Sequence, residues 1–320
     1  MLTALVFLAV GLALLYFGGE GLVRGAAGLA LRLGLTPLAV GLTVVAFGTS
    51  CPELAVSLNA AIEGQGDVSM GNVVGSNIAN VGLILGLTAF LRPIAVHLQL
   101  LRFDLPILVA VSVGFVLTAL DRSLGRIEGA VLVAGLVLYT AVVLRLARKE
   151  TKAVQAEFAE ELSEDLPPPA DKLPVQLALI VGGLAMLVGG GRLFVDGAVE
   201  LARGLEVPEA VIGLTIVAVG TSLPELSASL IAAARGHSDI AVGNVVGSNL
   251  FNILSILGFT GLIRPITFDG INDVDFAVML AFSVALFPLL WTGARLSRLE
   301  GAALLAAYGG YLAWLASQAK

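Results

Sequence analysis

The stretch Gly48-Thr49-Ser50-Cys51-Pro52-Glu53 returns 172 positions later as Gly220-Thr221-Ser222-Leu223-Pro224-Glu225. Around it the two halves of the chain align without a gap, Gly41 to Ile94 on Gly213 to Ile266, with more than half of the positions identical. A match this long means that one structural plan is used twice. The plan is an apolar one. Hydrophobic residues make up 58% of the 320 and charged residues 13%, against about 25% charge in a soluble domain. Lipid is therefore the main solvent this chain is written for.

Apolar runs bounded by charges, Gly or Pro mark spans at 2–23, 37–62, 68–91, 103–120 and 127–147, then at 173–199, 208–234, 240–263, 275–292 and 298–317. The expected fold is an all-α integral membrane protein of about ten transmembrane helices. Five spans per copy is an odd number, so the second copy enters the membrane from the opposite side. That arrangement gives two inverted five-helix repeats, 1–147 and 173–320, about a pseudo-twofold axis in the membrane plane. The polar stretch 148–172, with Pro167-Pro168-Pro169, reads as a solvated linker. With both termini outside, twelve of the eighteen Lys and Arg residues fall on the cytoplasmic side together with the linker. The start, Met1-Leu2-Thr3-Ala4, reads as the first span and not as a removable signal. The net charge of −6 and the lack of a basic run argue against nucleic acid, and a single cysteine excludes an intrachain disulfide.

An ionisable residue at membrane depth is expensive and marks a functional site by default. Each copy of the repeated stretch has one, Glu53 or Glu225. Pro52 and Pro224 also lack the N–H that the helix ladder needs, which opens the preceding turn and frees carbonyls near Ala46 to Thr49 and near Ala218 to Thr221. Thr49 and Ser50 lie four and three residues before Glu53, on its helix face, and Thr221 and Ser222 repeat this before Glu225. The next span carries Asn72, Ser76 and Asn80 as a polar stripe at helical spacing, with Asn244, Ser248 and Asn252 as its twin. For Ser76, Asn80, Ser248 and Asn252 coordination is the favoured reading. For Asn72, Asn77, Asn244 and Asn249, helix-to-helix bonding and coordination are both open. All these donors are oxygen, which suits Ca²⁺, with Na⁺ as a competitor of similar radius. Transition metals would call for His or Cys. His97 and His237 read as surface residues, Cys51 is replaced by Leu223 in the twin, Asp67 and Asp239 read as helix N-caps, and Asp269, Asp273 and Asp275 as a solvated loop.

The doubled G-T-S-x-P-E and G-N-x-x-G-S-N-x-x-N motifs resemble the cation/calcium antiporter superfamily, and within it the sodium/calcium exchanger branch. The resemblance implies that Glu53 and Glu225 share a calcium site with carbonyls near Thr49 and Thr221. One Na⁺ site would then use Ala46, Thr49, Ser50, Ser76 and Glu53, and its twin Ala218, Thr221, Ser222, Ser248 and Glu225. Asn80 and Asn252 would bound a middle site. Some relatives have Asp where this chain has Asn252, so the centre here holds two formal negative charges, which lowers the case for K⁺ cotransport. The family's usual three Na⁺ per Ca²⁺ would make exchange electrogenic.

The expectation is thus an antiporter in a cell membrane, not an enzyme, with no cofactor. Its partners are the transported Ca²⁺ and Na⁺ and the surrounding lipid, and it is expected to be a monomer. The long, Gly-rich first and sixth spans are candidates to slide past the core, with static packing as an equal alternative. Proton/calcium exchange is the runner-up. A channel and an intramembrane hydrolase are more distant rivals.

Overall fold

The computed structural model describes residues 1–147, 172–205, 218–291 and 293–318. Apart from Lys172, the expected linker lies outside the described residues. The chain opens with α1 (Leu2–Leu33), then α2 (Pro37–Thr49) and α3 (Cys51–Ile62), a pair bent by 45° at the break between them. Next come α4 (Gly66–Leu91), α5 (Leu100–Asp121) and α6 (Arg126–Ala147). The second half contributes α7 (Leu173–Gly204), the shorter α8 (Leu223–Ala234), α9 (Ser238–Ile263), α10 (Asp273–Trp291) and α11 (Arg298–Gln318). Among the described residues, eight helices are long and apolar enough to cross a membrane, or nine with the bent pair. Leu117, Ile127, Val131, Leu138, Val181 and Leu299 stand exposed along them, which is costly in water and natural in lipid.

The first and sixth spans run past the expected limits of 23 and 199. Each is a 32-residue helix, because Ala, Leu and Arg carry the helix through the glycines. α1 stops where Gly34 takes the left-handed conformation at φ 62°. α1 and α7 cross in close contact through glycine. A methyl group on Gly18 would lie 2.8 Å from the Gly183 carbonyl oxygen, and one on Gly11 would lie 2.9 Å from that of Gly190. Shifting Gly11 and Gly18 by 172 gives Gly183 and Gly190, so this crossing maps onto itself when the halves are exchanged.

The same exchange holds elsewhere. Gly129 on α6 packs on Gly258 and Leu262 of α9, while its twin Gly301 on α11 packs on Gly86 and Phe90 of α4. Two short antiparallel ladders join the halves, β1 (Ile94–Ala95) with β4 (Arg295–Leu296), and β2 (Ser123–Leu124) with β3 (Ile266–Thr267). Ile94 faces Leu296, and the shifted pair, Leu124 with Ile266, is found in the second ladder.

Three smaller expectations need correcting. Asp67 and Asp239 sit inside the first turns of α4 and α9, where a carboxylate faces the positive end of the helix, and are not the N-caps. Asp67 also accepts the Gly270 N–H at 2.7 Å. Asp275 is buried and not part of a solvated loop, because it accepts the Tyr311 hydroxyl at 2.8 Å and the Asn272 N–H at 2.9 Å.

Candidate ion-binding site

Where the two repeated stretches meet, the backbone is broken in the same way twice. Ser50 leaves the helical region at φ −81°, ψ 1° between α2 and α3, and Ser222 does so at φ −91°, ψ 7° ahead of α8. Pro52 and Pro224 occupy the first turn of α3 and of α8, where a missing N–H is harmless. The break therefore places Glu53 and Glu225 in the first turn of a new helix, at its positive end, with the hydroxyls of the preceding turn beside them. Ala46 stays in the ladder. Its carbonyl accepts the Ser50 N–H at 3.0 Å and the Thr49 hydroxyl at 3.4 Å. The side chain of Ala218 lies outside those described.

Glu53, Glu225, Thr49, Ser50, Ser222, Ser76, Ser248, Asn80 and Asn252 are all buried, and Thr221 is half-buried. Contacts across the middle tie the halves together. Ser50 Oγ donates to Glu225 Oε1 at 3.4 Å, and Thr49 Oγ1 lies 3.2 Å from Asn244 Oδ1.

The asparagines divide into two roles. Asn72 donates to the Glu53 carbonyl at 3.1 Å and to Ser57 Oγ at 2.9 Å, while Asn244 donates to the Glu225 carbonyl at 3.3 Å and to Ser229 Oγ at 3.0 Å. These two hold the glutamate backbones. Asn77 Oδ1 accepts the Asn252 amide at 3.0 Å, and Asn249 Oδ1 accepts that of Asn80 at 2.9 Å. With their NH₂ groups engaged, Asn80 and Asn252 have Oδ1 left over. Both begin a π-helical turn, at Asn80–Leu85 and Asn252–Leu257, a distortion that recurs at functional sites. Ser57 and Ser229 escaped notice as site residues. Their signal was present, since Ser57 is repeated in the second copy as Ser229.

Among the described residues, thirteen buried side-chain polar atoms have no hydrogen-bond partner, and seven of them belong to this cluster. They are both carboxylate oxygens of Glu53, Glu225 Oε2, Asn80 Oδ1, Asn252 Oδ1, Ser222 Oγ and Ser248 Oγ. Each unmet buried polar group costs about 1–3 kcal/mol, and more when charged, so such a concentration is stable only with a further partner. Seven oxygens with two formal negative charges fit a hard cation or several. No group of three or more His, Cys, Asp and Glu side chains among the described residues is arranged to hold a metal.

Two cavities reach the cluster. One, of about 270 Å³, lies between α3 and α7 and is lined by Pro52, Asn59, Gly191 and Thr221. The other, of about 500 Å³, is lined by Asn72, Ser76, Thr221, Asp275 and Tyr311. Thr221 lines both.

A helical membrane transporter with an oxygen-rich site at the junction of duplicated halves is the class that fold and site define. The family description "Sodium/calcium exchanger protein" matches residues 3–145 and 175–316. The inner membrane protein YrbG of Escherichia coli is 39% identical over 99% of this chain and 97% of its own length. The sodium/calcium exchanger MaX1 of Methanosarcina acetivorans is 35% identical over 96% and 97%. A solved structure of the sodium-calcium exchanger NCX_Mj, soaked with Na⁺ and Sr²⁺, superposes with a TM-score of 0.83 at 31% identity over 98% of both chains. The chain belongs to the sodium/calcium exchanger family. It is a multi-pass membrane protein and a cation/calcium antiporter.

Proposed function

We propose that this protein exchanges Na⁺ for Ca²⁺ by alternating access, with ten spans in two inverted five-helix repeats, 1–147 and 173–320. The observation that carries the reading is the set of seven partnerless buried oxygens between the breaks at Ser50 and Ser222. Glu53 and Glu225 supply the charge for a bare Ca²⁺, and Asn80 and Asn252, held by Asn249 and Asn77, supply neutral oxygens at the centre. Thr49, Ser50, Ser76 and Ala46 on one side, and Thr221, Ser222, Ser248 and Ala218 on the other, complete flanking sites for Na⁺. Coupling follows from competition, because both ions require the same two glutamates.

Three Na⁺ against one Ca²⁺ leave one charge over per cycle, so exchange is electrogenic and an inward Na⁺ gradient drives Ca²⁺ out. The positive-inside distribution supports termini outside and the linker in the cytoplasm. The test is ⁴⁵Ca²⁺ uptake into Na⁺-loaded proteoliposomes. Uptake is expected to require the Na⁺ gradient and to respond to an imposed voltage. Uptake that ignores Na⁺ and follows a pH gradient would replace this reading with proton/calcium exchange.

A further inference from the structure

The inverted halves match by identity near the glutamates, but at one set of positions they match by opposite charge. Glu20 and Arg24 on α1 correspond to Arg192 and Asp196 on α7, and Arg235 at the C-terminus of α8 corresponds to Glu63 at the C-terminus of α3. On the first set the charges meet. Arg235 forks onto Glu20, Nε to Oε2 at 3.0 Å and Nη2 to Oε1 at 2.5 Å, and Arg24 Nε reaches Oε1 at 2.7 Å. Beside this pairing α1 packs directly on α8. A methyl group on Gly19 would lie 2.5 Å from Ile231 Cδ1 and 3.2 Å from Ser227 Oγ, and Ser227 Oγ donates to the Leu15 carbonyl at 2.7 Å.

The second set is open. The twin of Gly19 is Gly191, whose added methyl would meet nothing nearer than 3.8 Å, and neither Asn59 nor Ala55, the twins of Ile231 and Ser227, is among its nearest neighbours. The 270 Å³ cavity separates α7 from α3 there, and Arg192, Asp196 and Asn59 line it. Arg192 and Asp196 are exposed to that space, and Glu63 is exposed at the end of α3.

We infer that Arg192 and Glu63 are positioning residues of the transport cycle, forming a second ion pair that closes α7 onto α3 when the Glu20–Arg235 pair opens. In one state α1 is clamped to α8, as here. In the other, α7 is clamped to α3 with the twin geometry, and Gly191 meets Asn59 as Gly19 now meets Ile231. The reversed order of charges gives the two ends different fields. Glu20, Arg24 and Arg235 sum to +1 at the closed end, whereas Arg192, Asp196 and Glu63 sum to −1 at the open cavity, where cations are drawn in. The inference rests on the alternating-access reading above and adds to it the residues that hold each state.

The test is a cross-link that leaves the four charges in place. In a Cys51→Ser background, Asn59→Cys with Gly191→Cys reports closure of α7 on α3 by disulfide formation in the purified full-length protein, with O₂ and a copper–phenanthroline catalyst added as the oxidant. A measurable cross-linked fraction is expected. Arg192→Glu should lower its rate about fivefold, the scale of one partly exposed ion pair, and Arg192→Glu combined with Glu63→Arg should restore it. In proteoliposomes, with Cys51, Asn59 and Gly191 left native, Arg192→Glu should slow exchange and its combination with Glu63→Arg recover it. An absence of cross-linking, or a double reversal no better than the single, would overturn the inference. A wild type that moves Ca²⁺ without Na⁺ would overturn the functional reading while leaving the cross-link result to stand alone.

Discussion

The two half-sites carry the same residues and keep different company. On the first side Thr49 is fully buried against Asn244, and Ser50 reaches Glu225. On the second side Thr221 faces both cavities, and Ser222 Oγ has no partner. The carboxylates differ in the opposite sense, since both Glu53 oxygens are free while Glu225 receives the Ser50 hydroxyl. Identical side chains thus stand in unequal surroundings. Under the proposed alternating access, the contacts of Thr49 and Ser50 would pass to Thr221 and Ser222 in the other state.

The strongest attack on this comparison is to remove the charges. If the halves form one site, Glu53→Gln and Glu225→Gln should each lower Na⁺-driven ⁴⁵Ca²⁺ uptake by about a hundredfold or more, despite their unequal surroundings. A variant of either with normal uptake would divide the site in two. Next in size are the asparagines that hold other asparagines. Asn77→Ala and Asn249→Ala leave Asn252 and Asn80 free to rotate, and calcium affinity by titration calorimetry should weaken about tenfold in each. The smallest and most discriminating effect concerns the hydroxyls. Ser50→Ala and Ser222→Ala should differ by about fivefold in apparent Ca²⁺ affinity when flux is measured from one face of oriented vesicles. Measured from the other face, the order should reverse. The same order from both faces would mean that the difference is fixed in the halves themselves.

Much of this was legible in the residues. Apolar runs separated by charges place the eight long helices and the bent pair, while the start of the expected seventh span, 208–217, lies outside the described residues. The repeated Gly48–Glu53 stretch places the break, because a proline interrupts the ladder and a glutamate at that depth needs a counter-charge. The asparagines were harder. Asn72, Asn77, Asn80, Asn244, Asn249 and Asn252 are chemically alike, and only the direction of each helix face decides which amide is spent on a neighbour and which oxygen remains. The unequal company of Thr49 and Thr221 has no sequence signal, since the two stretches are nearly the same. The Asp275–Tyr311 bond was missed because a carboxylate near two others in a loop looks solvated until the next helix is packed beside it. The opposed charges at Glu20 and Arg192 escaped because a comparison by identity passes over positions that match by contrast.

The two small ladders bear on how the protein is made. Each takes one strand from each half, β1 with β4 and β2 with β3, so the first 147 residues emerge from the ribosome with both of their strand edges unmatched. The early half must wait in the bilayer, incomplete, until the late half arrives to close it. Continuity of the chain matters less for this than the presence of both partners. A protein cut between 148 and 171 and expressed as two pieces should therefore assemble and co-purify, while the first piece alone should be degraded, as pulse-chase labelling would show.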